Sequence, residues 1–135
     1  MRMFCLSAAD CALETIWADV APLLERFERA TGEISAEQVR SGAQAEQLQV
    51  WGLQDADGVH LVVLTEIATT PKGLICTIRA AIGEARVGFQ ARLLGEIGAW
   101  ARALGCVCVR LVGRKGWLRR FRRFRQTAVV MEWAL

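Results

Sequence analysis

Hydrophobic and polar positions alternate in two different ways along this 135-residue chain, and each way predicts a different kind of element. Apolar residues recur every three or four positions from Asp10 to Arg29 and again from Arg86 to Leu104, a spacing typical of amphipathic helices. Asp10 is the predicted N-cap of the first helix. Pro22 is expected to break that helix in two, because an internal proline removes a hydrogen bond and clashes with the preceding turn.

Shorter segments alternate with a period of two or are continuously apolar, which predicts β-strands. An Asp-Ala-Asp-Gly turn and a Pro-Lys-Gly turn separate three of them, so these three form a meander. The predicted strands are Met3–Leu6, Gln47–Gly52, Val59–Ile67, Leu74–Ile82, Cys106–Val112 and Thr127–Ala134.

Three signals complete the predicted order of elements. Ser35 and Gln38 have the spacing of a capping box, which predicts a short helix ending near Gly42. Gly105 is placed to end the long helix in a left-handed conformation, and a last short helix is predicted over Lys115–Phe124. The order is β1-α1-α2-β2-β3-β4-α3-β5-α4-β6, an α/β (α+β) chain that we expect to form one domain over residues 1–135.

Charge is distributed unevenly. Eight of the 17 cations lie between Arg110 and Arg125, and no acid occurs between Glu96 and Glu132. The net charge of +3 therefore combines an acidic body with a basic C-terminal end. This asymmetry bears on partners rather than on the fold.

The cysteines and the N-terminal sequence indicate the cellular compartment in which the protein is expected. The chain has five cysteines, an odd number, and Cys106 and Cys108 lie within an apolar run, so we predict free thiols in a reducing compartment. Asp10 and Glu14 interrupt any signal-peptide core, and no apolar run approaches the ~20 residues that span a bilayer. We expect the protein to be soluble and intracellular, or packaged inside something made there.

The order of elements resembles the GNAT fold of acetyl-CoA-dependent N-acyltransferases over nearly the whole chain. That resemblance implies a mixed, mostly antiparallel six-stranded sheet flanked by helices. More narrowly, GCVCVRLVGRKGW preceded by GEIGAWARALG resembles the small GNAT-like proteins of tailed bacteriophages and prophages. Related GNAT-like domains occur among the internal virion proteins of short-tailed phages.

The resemblance implies where coenzyme A would bind. GNAT enzymes hold its pyrophosphate on the backbone N–H groups of a Gln/Arg-x-x-Gly-x-Gly/Ala loop at the start of the helix after the fourth strand. The corresponding stretch here, Ile82–Phe89, has two glycines but no match to that pattern. The candidate cofactor-binding residues are Gly83, Arg86, Val87 and Gly88.

The resemblance also implies a general acid and a general base. The acid of the family is often a tyrosine, and this chain contains none. Glu66 or Glu84 would take a proton from an amine through water. Two interpretations of Glu66 remain open, a catalytic base and an ordinary exposed acid on a strand. Cys108 could donate a proton in principle, but we expect it to be buried.

The basic segment has three open interpretations, which are a protein interface or solvated face, a nucleic-acid surface, and a site for a small anion. Its interleaved aromatic residues, Trp117, Phe121 and Phe124, have helical spacing that favours core packing over base stacking. The cations concerned are Arg114, Lys115, Arg119, Arg120, Arg122, Arg123 and Arg125.

The remaining candidates have structural explanations. The single His60 lacks a metal-binding motif and is expected to be a strand residue near the Asp-Ala-Asp-Gly turn. Glu132 is predicted to pair with Arg110 across an antiparallel ladder. The residues expected to fill the core include Trp51, Trp100 and Trp133.

Three functional hypotheses follow. The first is a phage or prophage GNAT-fold protein without the standard acetyl-CoA apparatus, which needs no cofactor and docks in several copies onto other virion or assembly proteins. The second is an active N-acyltransferase that uses acetyl-CoA with a variant pyrophosphate loop. The third is a nucleic-acid-binding protein. None of the three involves a membrane.

Overall fold

The computed structural model of the protein describes residues 1–6, 12–113 and 116–135. Predicted features at Asp10, Arg114 and Lys115 lie outside the described residues. The elements are β1 (Arg2–Leu6), α1 (Ala12–Thr31), α2 (Ala36–Gln44), β2 (Gln49–Asp55), β3 (Gly58–Thr70), β4 (Gly73–Gly83), α3 (Val87–Ala103), β5 (Cys106–Leu111) and α4 (Gly116–Arg120).

The strands form one sheet in the order β1-β2-β3-β4-β5. β1 to β4 pair antiparallel with their neighbours, and β5 pairs parallel with β4 because α3 carries the chain across the sheet between them. Both predicted turns of the meander are confirmed, and Gly58 and Gly73 each have a φ of +122° where the chain re-enters the sheet.

Each face of the sheet carries its own apolar core, since successive side chains of a strand point to opposite faces. On β3, Val62 and Leu64 pack with residues of α1 and α2, whereas Leu61 and Val63 pack with residues of α3. The core on the α1 and α2 face also includes Leu6, Val20, Leu24, Val39, Val50 and Ile82. The core on the α3 face also includes Trp51, Leu53, Cys76, Ile78, Leu93 and Ile97.

Two of the three predicted core tryptophans are confirmed. Trp51 is buried and meets Trp100 edge to face, with ring centroids 5.3 Å apart. The indole N–H of Trp51 donates to the Thr65 hydroxyl over 2.9 Å, and that hydroxyl donates to the Gln49 side-chain oxygen over 2.9 Å. The polar groups beside this core are therefore satisfied.

The prediction that Pro22 divides the first helix is wrong, because α1 continues through it. Pro22 and Ala18, whose carbonyl loses its usual partner, are both exposed, so water can satisfy that carbonyl. Val20 and Leu24, on either side of the proline, are both buried against the sheet. Tertiary packing holds the two halves in line.

The predicted start of α2 is confirmed. The Ser35 hydroxyl accepts from the Gln38 N–H over 3.0 Å, and the Gln38 side chain accepts from the Ser35 N–H over 2.9 Å, which together make the capping box. At the end of α3, Gly105 has the expected positive φ, +91°. Among the described residues, no helix is long and apolar enough to span a membrane.

The C-terminal end differs most from the prediction. Residues 127–134 are exposed and form no strand, so the described sheet has five strands rather than six. β5 is consequently an edge strand instead of an interior one. Without the sixth strand, no ion pair joins Arg110 to Glu132, and Trp133 is 87% exposed rather than part of the core. The described part of the final helix is also shorter than predicted.

Candidate functional site

The pairing of β4 changes on both sides near Arg79. On the β3 side, Leu64 is opposite Ala80 but Thr65 is opposite Ile78, so Arg79 has no partner in the register. On the β5 side, pairing ends at Ile78 and Leu111. An unpaired extra residue bends and twists a strand. Because β5 ends at Leu111, the last residues of β4 continue past it with one backbone edge open.

A cavity of about 410 Å³ lies on the α3 face beside the end of β5. The sheet provides its apolar floor, α3 provides one wall, and the segment after β5 provides the other. The apolar residues that line these three sides are Leu61, Val63, Ile78, Leu93, Ile97, Leu111, Trp117, Phe121 and Phe124.

The aromatic residues of the basic segment form the wall nearest the C-terminus. The rings of Trp117 and Phe121 are stacked with centroids 5.3 Å apart and an interplanar angle of 26°. Phe121 is buried, and Phe124 is half-buried and lines the same cavity. The prediction that these side chains pack inside the molecule is confirmed. They also shape the cavity, which their spacing did not predict.

The start of α3 lies at one end of the cavity. Gly83, Glu84 and Val87 are lining residues, with Arg86 as the N-cap of the helix and Gly88 in its first turn. The Arg86 side chain makes no capping hydrogen bond, and no acid lies in the first turn. The fold thus gathers the predicted cofactor-binding residues at one end of the cavity. Helix N-termini favour anions, because their first N–H groups lack partners within the helix.

Two local features fix this end of the cavity. Gly83 has a φ of +97°, and the Glu84 N–H donates to the His60 carbonyl over 2.9 Å. The Gln90 side-chain amide donates to the Ala85 carbonyl over 2.9 Å, which ties the first turn of α3 to the loop before it. An added Cβ at Gly88 would meet nothing within 4 Å. The backbone at Gly88 is therefore open to an approaching group.

The two candidate bases lie in different places. Glu84 is exposed and is the only ionisable residue among the described ones that line the cavity. Glu66 is a half-buried residue of β3 whose carboxylate accepts from the Arg79 guanidinium over 3.1 Å. Because Glu66 follows Thr65, which lies on the α3 face with Trp51, it projects from the opposite face of the sheet. Glu66 is thus paired with Arg79 and does not line the cavity.

His60 and the thiols occupy separate environments. The His60 Nε2 lies 2.7 Å from the Asp55 carboxylate, and this hydrogen bond, followed by one from the Asp57 N–H, lowers the pKa of Asp55. The expectation that His60 is a strand residue beside the turn is confirmed. Within the described part of the chain, no three His, Cys, Asp or Glu residues are grouped to hold a metal ion.

The expectation that Cys108 is buried is wrong, because β5 is an edge strand and Cys108 is exposed. Cys76 is the buried thiol of the two neighbouring strands. Burial, with smaller contributions from Cys106 and Cys108, raises the pKa of Cys76 to about 11. Burial, followed by the neighbouring Cys108, also raises the pKa of Cys106. Neither Cys106 nor Cys108 lines the cavity.

The basic segment is exposed on its outer side. Its exposed cations in the described part are Arg119, Arg122, Arg123 and Arg125. The side chain of Arg120 lies outside the described residues, as Arg114 and Lys115 do. The segment therefore has two sides of opposite character, because its aromatic residues face the cavity and these arginines face solvent.

Several solved structures that resemble this chain are named as acetyltransferases. A probable acetyltransferase matches with a TM-score of 0.73 and 13% identity, covering 100% of this chain and 97% of its own. An aminoglycoside acetyltransferase from an uncultured soil metagenomic sample, in complex with trehalose, matches with a TM-score of 0.73 and 13% identity. The match covers 99% of this chain and 95% of that chain. A ribosomal-protein-alanine N-acetyltransferase from Brucella melitensis biovar Abortus 2308 matches with a TM-score of 0.67 and 13% identity. The match covers 99% of this chain and 94% of that chain.

No family model matches the sequence, and no curated protein matches it. At these identities the structural likeness shows the fold alone. The predicted GNAT-like α/β fold class is confirmed, with five strands in the described residues where six were expected. The sequence interpretation missed two features of the site, the unpaired Arg79 and the hydrogen bond from Gln90 to Ala85.

Proposed function

We propose that this protein transfers an acyl group from a coenzyme A thioester to an amine. The part of β4 that extends past β5 carries the proposal, because it places an open strand edge beside an apolar cavity and a helix N-terminus. An extended acyl-CoA would use the apolar cavity to enclose its acyl end, the open edge to pair its amides and the helix N-terminus to hold its phosphates. The likeness to acetyltransferase structures supports the same conclusion.

The residues at the start of α3 fit the anionic part of such a molecule. Gly88 leaves open space at the first turn, and the first turn carries no acid that would repel a phosphate. Arg86 adds a cation immediately before the helix. Two residues depart from the pattern of the family. Glu84 places a negative charge nearby, and the Gln90 side chain occupies the first turn.

The open edge of β4 fits the amide-bearing arm. Residues 79–83 of β4 have no partner on β5, so their outward N–H and C=O groups can pair with the amides of an extended ligand, as an added strand would. When a thioester is bound, the amine would attack its carbonyl carbon, the carbon–sulfur bond would break, and the coenzyme A thiolate would leave and take a proton from solvent. Glu84 is the proposed proton acceptor for the amine, acting through intervening water, because it lines the cavity, whereas Glu66 is engaged by Arg79 on the opposite face.

Calorimetric titration with acetyl-CoA tests the proposal, using Gly88→Leu as the blocking variant. An added Cβ at Gly88 meets nothing within 4 Å, so we expect the fold to be retained while the leucine closes the approach to the first turn. Gly98→Leu is the matched control, since Gly98 lies in the same helix, away from the cavity, and also has nothing within 4 Å. We expect binding to be lost in the first variant and retained in the second. Absence of binding by the unaltered protein would refute the proposal.

A second candidate is the assembly role of a phage or prophage virion protein. One observation favours an assembly role, which is the exposed apolar segment at the C-terminus beside a basic surface. The phage lineage itself is supported only by the resemblance of the sequence around Gly113–Trp117. Mass spectrometry of purified particles against free lysate from the producing cells tests it. Recovery of the chain only from the lysate would refute a virion-associated role.

A further inference from the structure

The last nine residues expose an unusual amount of apolar surface. The exposed fractions are 65% for Val129, 69% for Val130, 87% for Met131 and 87% for Trp133. Single exposed apolar residues are common, but a run of this kind marks an interaction site. We call residues 127–135 the C-terminal segment.

The sequence of the C-terminal segment is suited to a β-strand. It has β-branched residues at Thr127, Val129 and Val130, an aromatic residue at Trp133, and neither glycine nor proline. Glu132 is its only charged side chain. The segment therefore has the composition of a strand but no strand partner within its own chain.

The outer edge of β5 is an unpaired strand edge in the described sheet. Among the described strands, β5 pairs only with β4, so the outer N–H and C=O groups of Cys106–Leu111 have no ladder partner. Val107 is 59% exposed, and Cys108 and Arg110 are exposed as well. Proteins usually protect such an edge, because it is a template for pairing with another chain.

The position of Phe121 relates the two features. Phe121 is buried in the cavity wall with Leu111, the last residue of β5, so the chain is anchored there before it continues to the C-terminal segment. The edge of β1 is the other open edge of the described sheet, at its far side. The charges also match at β5, since Arg110 is exposed on the edge and Glu132 is exposed on the segment.

We propose that two copies of this chain exchange their C-terminal segments, each segment adding antiparallel to the β5 edge of the other copy. Both copies carry the same edge and the same segment, so one two-fold arrangement satisfies both edges and covers both apolar segments. Glu132 of each copy then lies beside Arg110 of the other. The cavity between β4 and α3 is on the other side of β5 and stays open, so this inference does not depend on the proposed acyl transfer.

The mass in solution, measured by size-exclusion chromatography with light scattering over a range of concentrations, gives the first test. We expect the full chain to be a dimer and a chain ending at Gln126 to be a monomer that keeps the helical signal of its far-UV circular dichroism spectrum. A full chain that stays monomeric at every concentration would overturn the proposal. A truncated chain that still dimerises would overturn it too.

Charge reversal separates exchange between copies from folding back within one copy. In a dimer formed by one variant alone, either Arg110→Glu or Glu132→Arg, the side chains at positions 110 and 132 that meet across the two copies carry like charges. We therefore expect each of these dimers to weaken by about tenfold. Mixing the two variants restores opposite charges at both contacts, and the mixture is expected to dimerise as tightly as the unaltered chain. A contact within one chain cannot be restored by mixing. Failure of the mixture to recover the dimer would therefore refute the exchanged pairing.

Discussion

At the end of β4, Gly83 combines a positive φ of +97° with a close approach to the β3 backbone. An added Cβ would collide with the His60 carbonyl oxygen, which is backbone and cannot swing away. We expect Gly83→Ala to destabilise the fold by about 2–4 kcal/mol, from conformational strain and this collision together. Urea denaturation measures the change.

Gly88→Ala is the matched control for that variant. Gly88 has open space around an added Cβ and no positive φ, so the free energy of unfolding should stay within about 1 kcal/mol of the original. Equal stability of the two variants would mean that the turn after β4 can relax away from His60. In that case Gly83 would not be fixing the end of the cavity.

Glu84 is the proposed proton acceptor, so replacing it with glutamine should lower the rate of acyl transfer without weakening acyl-donor binding. We expect Glu84→Gln to lower kcat for amine acylation by about 10²–10⁴-fold while leaving acyl-donor affinity nearly unchanged. Steady-state kinetics with a donor-release assay provide the measurement. Glu96→Gln, at an exposed position of α3 outside the cavity, is the control.

Glu66→Gln distinguishes the two candidate bases. This variant breaks the ion pair with Arg79, and because that pair is substantially exposed we expect a stability change below about 1 kcal/mol. Its kcat should remain near that of the original chain. If the large loss of kcat occurs in Glu66→Gln and not in Glu84→Gln, the amine reaches the thioester from the α1 and α2 face, and our assignment is wrong.

The residues around the start of α3 show what sequence could predict of the site. Gly83, Glu84 and Gly88 were named as candidates because they follow the fourth strand; the first two line the cavity and Gly88 lies in the first turn of α3. The bulge at Arg79 was not predicted, because an extra residue in one strand is defined by the register of its neighbour. Arg79 and Glu66 alternate with apolar residues like any exposed strand positions.

At the scale of elements, α1 shows tertiary packing overriding a local signal. Pro22 costs a hydrogen bond, yet burial of Val20 and Leu24 keeps the helix continuous. We expect Pro22→Ala to raise the free energy of unfolding by about 1–2 kcal/mol, the helix gain being reduced by the greater freedom of the unfolded chain. Urea denaturation measures this, with Ala30→Gly, at an exposed position of the same helix, expected to change stability in the opposite direction.

The elements that sequence predicted well are those specified by neighbouring residues. The capping box at Ser35, both turns of the meander and the end of α3 at Gly105 depend on contacts a few residues apart. Formation of the predicted sixth strand depends instead on pairing with another strand that is distant in sequence. Its alternating apolar residues indicate that it can form a strand, but they do not specify which edge it joins or whether that edge belongs to the same chain.

At the scale of the whole molecule, charge separates the acidic body from the basic C-terminal end. The arginines at 119, 122, 123 and 125 are exposed on one short segment, with no acid in the sequence between Glu96 and Glu132 to offset them. A cationic patch attracts any polyanion, and that attraction alone carries no sequence specificity. Binding of a nucleic acid and binding of an acidic protein surface are therefore distinguished only by how each affinity depends on salt concentration.

We expect double-stranded DNA to bind this end weakly, with a Kd of roughly 10⁻⁴–10⁻⁶ M at physiological salt and no preference for sequence. Fluorescence anisotropy over a series of salt concentrations measures the slope of log K against log salt. Neutralising Arg119 and Arg123 together, as glutamines, should reduce the magnitude of that slope by about 2, because each phosphate contact contributes about 0.9. Arg26→Gln with Arg29→Gln, two exposed positions on α1, is the control pair and should leave the slope unchanged. If the slope is the same in all three proteins, the arginines do not contact the phosphates of DNA, which leaves a protein interface, a solvated face or a small-anion site as the interpretation of the basic segment.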